Sequence, residues 1–271
     1  PCQFLEGDSP RTLGLTGMES YDITGLAGGE SREATVVATA ADGKRIWTYR
    51  DAMTPRALPA SILVVGAGAI GVEFASFYRS LGSEVTVVEA ADRILPNEDH
   101  EICALARKAF ERRGMRVHTA TVVESLRFEG DGVTATLRGP EGTGEARVER
   151  VISAVGIEAN AEDLGLEGTG VELDRGHVVV GPWLETGEPC VYAIGDLTAP
   201  PWLAHKASHE AMICVEKIAG LAHAVPLDTT RIPACTYSHP QVASIGLTEH
   251  KARQRGGAVR TGSFPFAASG K

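Results

Sequence analysis

The stretch from Ile62 to Glu89, ILVVGAGAIGVEFASFYRSLGSEVTVVE, constrains the fold more than any other part of the chain. An apolar run (Ile62 to Val65) enters Gly66-Ala67-Gly68-Ala69-Ile70-Gly71, an amphipathic segment follows to Leu81, and a second apolar run ends in Glu89. That order predicts a strand, a tight turn, a helix and a second strand. The three glycines have separate tasks. Gly66 lets the chain turn sharply off the strand, Gly68 removes a side chain where a pyrophosphate must approach the backbone, and Gly71 lets helix and strand pack closely.

A diphosphate fits the free N–H groups at the positive end of that helix. Glu89 lies 18 residues beyond Gly71, at the end of the second strand. A carboxylate there can accept hydrogen bonds from both ribose hydroxyls and repels a 2′-phosphate. The expectation is NAD rather than NADP, although Arg93, four residues on, would suit a phosphate. Glycines also serve ordinary turns, but here the flanking strand, the helical spacing and the distal acid agree.

With 43% hydrophobic residues in 271, the chain can bury one large core or two modest ones. The 35 acidic residues against 26 basic ones leave a net charge of −9, which argues against nucleic acid or an anionic membrane as a partner. The cysteines (Cys2, Cys103, Cys190, Cys214, Cys235) form no CxxC or CxxxxC pair, so reduced thiols in a cytoplasmic compartment, or the mitochondrial matrix of a eukaryote, are expected. No apolar run approaches the roughly 18 residues of a membrane span. The acidic, glycine-rich start does not resemble a signal peptide, and a first residue of Pro1 suggests a processed, trimmed or partial sequence.

Residues 1–34 show little periodicity and many turn formers, and Ala34 to Ala40 is a short β-prone run. Ile46 to Met53 and Thr54 to Pro59 read as a linker or short helix. Asn97 to Gly114 predicts a helix with acids in its first turn, Arg112 and Arg113 in its last, and an inner stripe of Ile102, Leu105, Ala106, Ala109 and Phe110. From Arg116 to Val155 the period becomes two. Asp131-Gly132 and Gly139 to Gly144 break that stretch into an antiparallel meander before a strand from Arg150 to Val155, and Gly156 closes the strand where an α/β sheet meets its ligand. Asp174-Arg175-Gly176 signals a hairpin.

In Cys190 to Ile218, a short strand ends in Gly195-Asp196, a Pro-Pro loop follows, and a helix presents Ala207, Ala211, Ile213 or Met212, and Val215 inward. Asp196 at a strand end can take a sugar hydroxyl or cap a helix. His205 and His209 are four apart, but no Glu or Cys completes a zinc pattern. Ile232 to Gly246 predicts strands around His239-Pro240, and Thr261 to Phe266 signals a further strand, so the sequence is expected to stop inside a domain.

Five ordered motifs, from about Asp42 onward, resemble the flavoprotein disulfide reductases, and among them the dihydrolipoyl dehydrogenases of 2-oxoacid dehydrogenase complexes. They are Gly66 to Glu89, ISAVG (Ile152 to Gly156), YAIGD (Tyr192 to Asp196), LAHKASHEA (Leu203 to Ala211) and IPACTYSHPQVASIGLTE (Ile232 to Glu249). The resemblance implies an α/β chain: a poorly assigned segment and linker (1–57), a Rossmann-like NAD-binding domain of parallel sheet and β-meander (58–180), part of an FAD-binding domain (181–228) and the start of an α+β dimerisation domain (229–271). It implies NAD contacts from Gly66, Ala67, Gly68, Ala69, Ile70, Gly71, Val72, Glu73, Glu89, Val123 and Gly156. Ile70 and Glu73 would lie where nicotinamide meets flavin, with Glu73 paired to a lysine. Asp196 would bind the FAD ribityl chain, and Trp202, Leu203, Ala204 and His205 would lie against the flavin.

The same resemblance implies a homodimer that oxidises dihydrolipoamide with NAD. The family's first GxGxxG, its CxxxxC redox disulfide and its catalytic His and Glu have no counterpart in these residues, so this chain alone is expected to lack turnover. A non-catalytic NAD-binding module, or a fragment of a related reductase of glutathione or mercuric ion, remain the alternative readings.

Overall fold

The computed structural model describes residues 3–6, 21–22, 33–34, 41–157, 159–256 and 258–269; the β-prone run expected at 35–40 lies outside them. In chain order the strands are β1 (Gln3–Glu6), β2 (Tyr21–Asp22), β3 (Glu33–Ala34), β4 (Ile46–Trp47), β5 (Ser61–Val65), β6 (Glu84–Val88), β7 (Arg116–His118), β8 (Val122–Glu129), β9 (Gly132–Gly139), β10 (Gly142–Val148), β11 (Arg150–Ser153), β12 (Leu173–Asp174), β13 (His177–Val178), β14 (Val191–Ile194), β15 (Ala234–Thr236) and β16 (Val242–Ser244). The helices are α1 (Tyr49–Met53), α2 (Ala69–Leu81), α3 (His100–Arg112), α4 (Ala204–Ile218) and α5 (Glu249–Gln254).

The centre is a five-stranded parallel sheet in the order β4-β11-β5-β6-β7. Its middle strands are covered on both faces, which is why they read as unbroken apolar runs. On one face Ile62, Val64, Val85, Val87 and Ile152 pack against Val72, Ala75 and Tyr78 of α2 and Cys103, Ala106 and Phe110 of α3. On the other, Ile46, Leu63, Val88 and Val151 meet Val123, Val133, Ala135, Leu137 and Val148 of the antiparallel meander β8-β9-β10. The alternation along each strand assigns one set to the helices and the next to the meander.

Several expectations are corrected. Arg116–His118 belongs to the edge of the parallel sheet rather than to the meander, because β6 offers a free edge in register, Val87 opposite Val117. Ile46–Trp47 is the opposite edge strand, pairing with Val151 and Ile152, and only Tyr49–Met53 is helical. Helix α3 begins at His100, where Asp99 caps it by accepting the Glu101 N–H at 3.1 Å. Its inner stripe is Cys103, Ala106 and Phe110, so Ile102 and Leu105 are exposed. The three-residue shift of the helix start leaves 3.6-residue periodicity ambiguous between neighbouring stripes. Residues 261–265 form no strand and run into a 3₁₀ turn at Phe266–Ala268; no partner strand among the described residues stands beside them.

Outside the sheet, β14 pairs in parallel with β1, which the sequence did not lead us to expect. The β12–β13 hairpin turns at Arg175-Gly176, both with positive φ (49° and 81°), the signature of a tight two-residue turn. The β15–β16 hairpin lies against α2, where Glu73 Oε1 accepts the Tyr237 N–H at 2.6 Å and Ser76 Oγ accepts the His239 N–H at 2.8 Å.

Candidate functional site

The carboxyl ends of β5, β6 and β11 converge on the turn between β5 and α2. Gly66 has φ +98°, and a Cβ there would stand 2.5 Å from the carbonyl oxygen of Ala154, just past β11. A Cβ on Gly71 would stand 1.9 Å from the Gly66 carbonyl oxygen, so α2 rests directly on the turn. Gly68 differs from both: a Cβ there would meet nothing within 4 Å. Neither packing nor backbone strain demands glycine at this position, and the open space above it lies over the amino terminus of α2, whose first internal bond is Val72 N–H to Gly68 O at 3.0 Å. The amides of residues 68–71 precede that bond, the arrangement that receives a phosphate.

Glu89 closes the other side. Its Oε2 accepts the Ala67 N–H at 2.6 Å and its Oε1 the Ala91 N–H at 2.8 Å. Each oxygen retains a lone pair, enough for two ribose hydroxyls. Arg93 pairs with Asp92, Nη1 to Oδ1 at 2.8 Å, while its Nε is buried without a hydrogen-bond partner among the described residues. The residues present therefore fit a dinucleotide: an uncovered helix terminus, a glycine with space in place of a side chain, and a carboxylate at sugar height.

The other residues singled out by sequence fall into distinct places. Ala69 is exposed and Ile70 half-buried at the start of α2, beside the open space, while Ala67 and Val72 are buried, so these two could meet a ligand only through their backbones. Val123 is likewise buried, in the core between sheet and meander. Gly156 is exposed with φ +73°, just past β11. Glu73 lies on α2 one turn from Ala69, engaged by the Tyr237 backbone.

A second group surrounds the end of β14. Asp196 sits in a 3₁₀ turn (Gly195–Leu197), half-buried, and among the described residues its carboxylate accepts no hydrogen bond. Burial pushes its carboxyl above the ordinary range, and the nearby Lys206 ammonium pulls it back. A half-buried acceptor with unspent capacity suits a polyhydroxyl chain. Trp202 stacks on His177, ring centres 5.0 Å apart, and donates its Nε1–H to Thr198 O at 3.0 Å. Leu203 forms the amino-terminal boundary of α4, Ala204 is its first residue, and His205 Nε2 lies 2.8 Å from Pro233 O.

The inner side of α4 bears out only part of the expected stripe of Ala207, Ala211, Met212 or Ile213, and Val215: Ala207 lies against Gly195 and Ala211 against the cluster of Leu184, Ile194 and Cys214. Its buried residues are Lys206, Glu210 and Cys214, while Met212 and Val215 are exposed. Lys206 and Glu210 at i, i+4 look in the sequence like an ordinary solvated pair, and the polar turn they meet gives no apolar signal.

The family description "Pyridine nucleotide-disulphide oxidoreductase" matches residues 7–211, and its dimerisation domain matches residues 232–271. A dihydrolipoyl dehydrogenase of Zymomonas mobilis is 48% identical over 255 residues, 94% of this chain and 54% of the relative. One from Rhizobium etli is 52% identical over 231 residues, 85% of this chain and 48% of the relative. The chain thus spans about half the length of the curated relatives it matches. Among solved structures, LpdA of Mycobacterium tuberculosis superposes with a TM-score of 0.72 at 30% identity, covering 80% of this chain and 46% of that one. The HOCl-induced flavoprotein disulfide reductase RclA of Escherichia coli gives a TM-score of 0.78 over 98% of this chain and 55% of its own, and at 23% identity shares the fold alone. With its sheet, its glycine turn and three quarters of its length inside one family description, the chain belongs to the pyridine nucleotide-disulphide oxidoreductases, flavoproteins that work with FAD and NAD.

Proposed function

We propose that this chain carries the NAD-binding part, and a portion of the FAD-binding part, of a dihydrolipoyl dehydrogenase. The observation that supports this most is the pairing of open space above Gly68 with the doubly anchored carboxylate of Glu89. In this reading the amides of residues 68–71 hold the pyrophosphate of NAD, Glu89 holds the adenine-side ribose, and Val123 and Gly156 contribute through backbone. Ile70 and Glu73 lie toward the nicotinamide. Asp196 accepts from the ribityl hydroxyls of FAD, and Trp202 to His205 flank the flavin. Bound together, the two cofactors supply hydride transfer between flavin and nicotinamide.

The names of the relatives support dihydrolipoamide as the electron donor, and the match of residues 232–271 to the dimerisation domain supports a homodimer; assembly with a 2-oxoacid dehydrogenase complex, in the cytoplasm or in the mitochondrial matrix of a eukaryote, completes the reading. A dithiol relay needs neighbouring thiols and a base. Among the described residues Cys103, Cys190, Cys214 and Cys235 form no disulfide, and no two cysteines in the sequence stand at CxxC or CxxxxC spacing. The 271 residues alone therefore form no NADH from dihydrolipoamide in this proposal.

A calorimetric titration with NAD, and with NADP as control, tests the nucleotide assignment. Saturable binding of NAD alone is the expected result; equal binding of both, or of neither, removes the role given to Glu89. NADH formation from dihydrolipoamide by the purified chain would overturn the lack of turnover.

A further inference from the structure

The most heavily buried charged residues described here are Lys206 and Glu210, with side chains 2% and 5% exposed. They close a ring of four hydrogen bonds around the turn that carries Asp196. Lys206 Nζ is 2.7 Å from Glu210 Oε1 and donates to Thr198 Oγ1 at 2.9 Å. Thr198 Oγ1 donates to Gly195 O at 2.8 Å, and the Gly195 N–H returns to Glu210 Oε2 at 2.7 Å. Gly195 has φ +72°, and a Cβ on it would lie 3.3 Å from the Ala207 methyl, so helix and turn are also in close contact.

A buried ion pair is a poor way to add stability, since apolar residues of the same volume often do as well. What it supplies is a single fixed geometry, because every donor and acceptor in the ring is matched only in this arrangement. The residue left outside the ring is Asp196, whose carboxylate has no hydrogen bond among the described residues and for which Lys206 is the charged group acting through space.

We propose that Lys206 is a positioning residue for the flavin side of the site, fixing the Gly195–Thr198 turn to α4 and setting the place and charge balance of Asp196. The inference rests on the reading of Asp196 as the acceptor for the ribityl hydroxyls. Lys206 makes no contact with a ligand in it. It acts through Asp196.

The test is a carbon-detected NMR titration of the Asp196 carboxyl in the full chain, assigned with Asp196→Asn, beside a fluorescence titration with FAD. The informative variant is Lys206→Met with Glu210→Gln, which removes both charges while the amide oxygen still accepts the Gly195 N–H. Its expected result is an upward move of the Asp196 midpoint and FAD binding weaker by roughly tenfold, with NAD binding unchanged. A lower unfolding temperature with an unmoved Asp196 midpoint would mean that the ring is merely structural, and the proposal is wrong. If the double variant does not fold, Glu210→Gln alone decides: it strips Lys206 of its counter-ion, so the Asp196 midpoint must move, down if the ammonium persists and up if the buried amine loses its proton, and an unchanged midpoint overturns the proposal. Absence of FAD binding by the unmodified chain counts against the flavin reading itself, while the Asp196 midpoint still decides the role of Lys206.

Discussion

Glu89 and Ala67 are joined by a 2.6 Å hydrogen bond across 22 residues, carboxylate to backbone N–H, so the acid at the end of β6 is fastened to the glycine turn at the end of β5. The carboxylate proposed to meet the ribose is thus also part of the frame. Glu89→Ala leaves the amides of the buried Ala67 and the half-buried Ala91 without acceptors, for a cost of about 1–2 kcal/mol. Calorimetry should also show NAD binding weaker by on the order of tenfold. Glu89→Gln keeps one acceptor oxygen and removes the charge, so it should narrow the preference for NAD over NADP more than it lowers stability. An unchanged NAD affinity in Glu89→Ala would show that the carboxylate serves the turn alone.

The glycines of the same turn separate fold from ligand. Gly71→Ala drives a methyl to within 1.9 Å of a backbone oxygen that cannot swing aside, and should cost about 3 kcal/mol, measurable by urea unfolding. Gly68→Ala meets no protein atom and has an ordinary φ of −68°, so its stability should stay within about 1 kcal/mol of the parent, the usual range for a helix-cap change. Its methyl nevertheless fills the space assigned to the pyrophosphate, and NAD binding should be largely lost. A Gly68→Ala chain that binds NAD normally would remove that space from the site.

The hairpin β15–β16 is held on α2 by two backbone N–H groups, Tyr237 to Glu73 and His239 to Ser76. Glu73→Ala and Ser76→Ala should each weaken this docking by about 1 kcal/mol. Hydrogen exchange at the Tyr237 and His239 amides should speed up severalfold while the Val87 and Ile152 amides of the sheet stay protected. Equal acceleration throughout would mean that the variants unfold the chain globally and that the hairpin has no separate attachment.

The parallel sheet, the glycine turn and the meander were legible because their signals are local: apolar runs of strand length, glycines at fixed offsets, and turn pairs such as Asp131-Gly132. Edges were not. Ile46–Trp47 and Arg116–His118 are too short to show a period, and only the exposed edges of β11 and β6 recruit them. The largest misreading, the inner side of α4, has the same origin. Lys206 and Glu210 are buried because a polar turn 8 to 15 residues earlier supplies their partners, and one-dimensional periodicity weighs only apolar burial. The backbone docking of Tyr237 and His239 onto Glu73 and Ser76 spans more than 160 residues, for which no sequence pattern exists.

Asp99 gives a pH dependence of defined sign. Its Oδ2 accepts the Glu249 N–H at 2.9 Å from α5, and its Oδ1 accepts the Glu101 N–H. The Glu249 bond, then the Glu101 bond, hold its carboxyl below the ordinary carboxylate value against a small opposing effect of burial, with the His100 charge adding a weaker pull in the same direction. A folded-state value below the unfolded one means that the unfolded chain binds the proton more readily, so the contribution of Asp99 is complete above the unfolded value and disappears as pH falls through the folded one. Relative to Asp99→Asn, the parent chain should be more stable by a constant margin above about pH 5, and the margin should shrink toward zero on further acidification. The loss should appear first at the junction of α3 and α5, as faster exchange of the Glu249 amide, because that bond contributes most to the shift. A margin that stays constant down to about pH 3, or widens on acidification, would show that the Asp99 carboxylate is not what holds α5 against the amino terminus of α3.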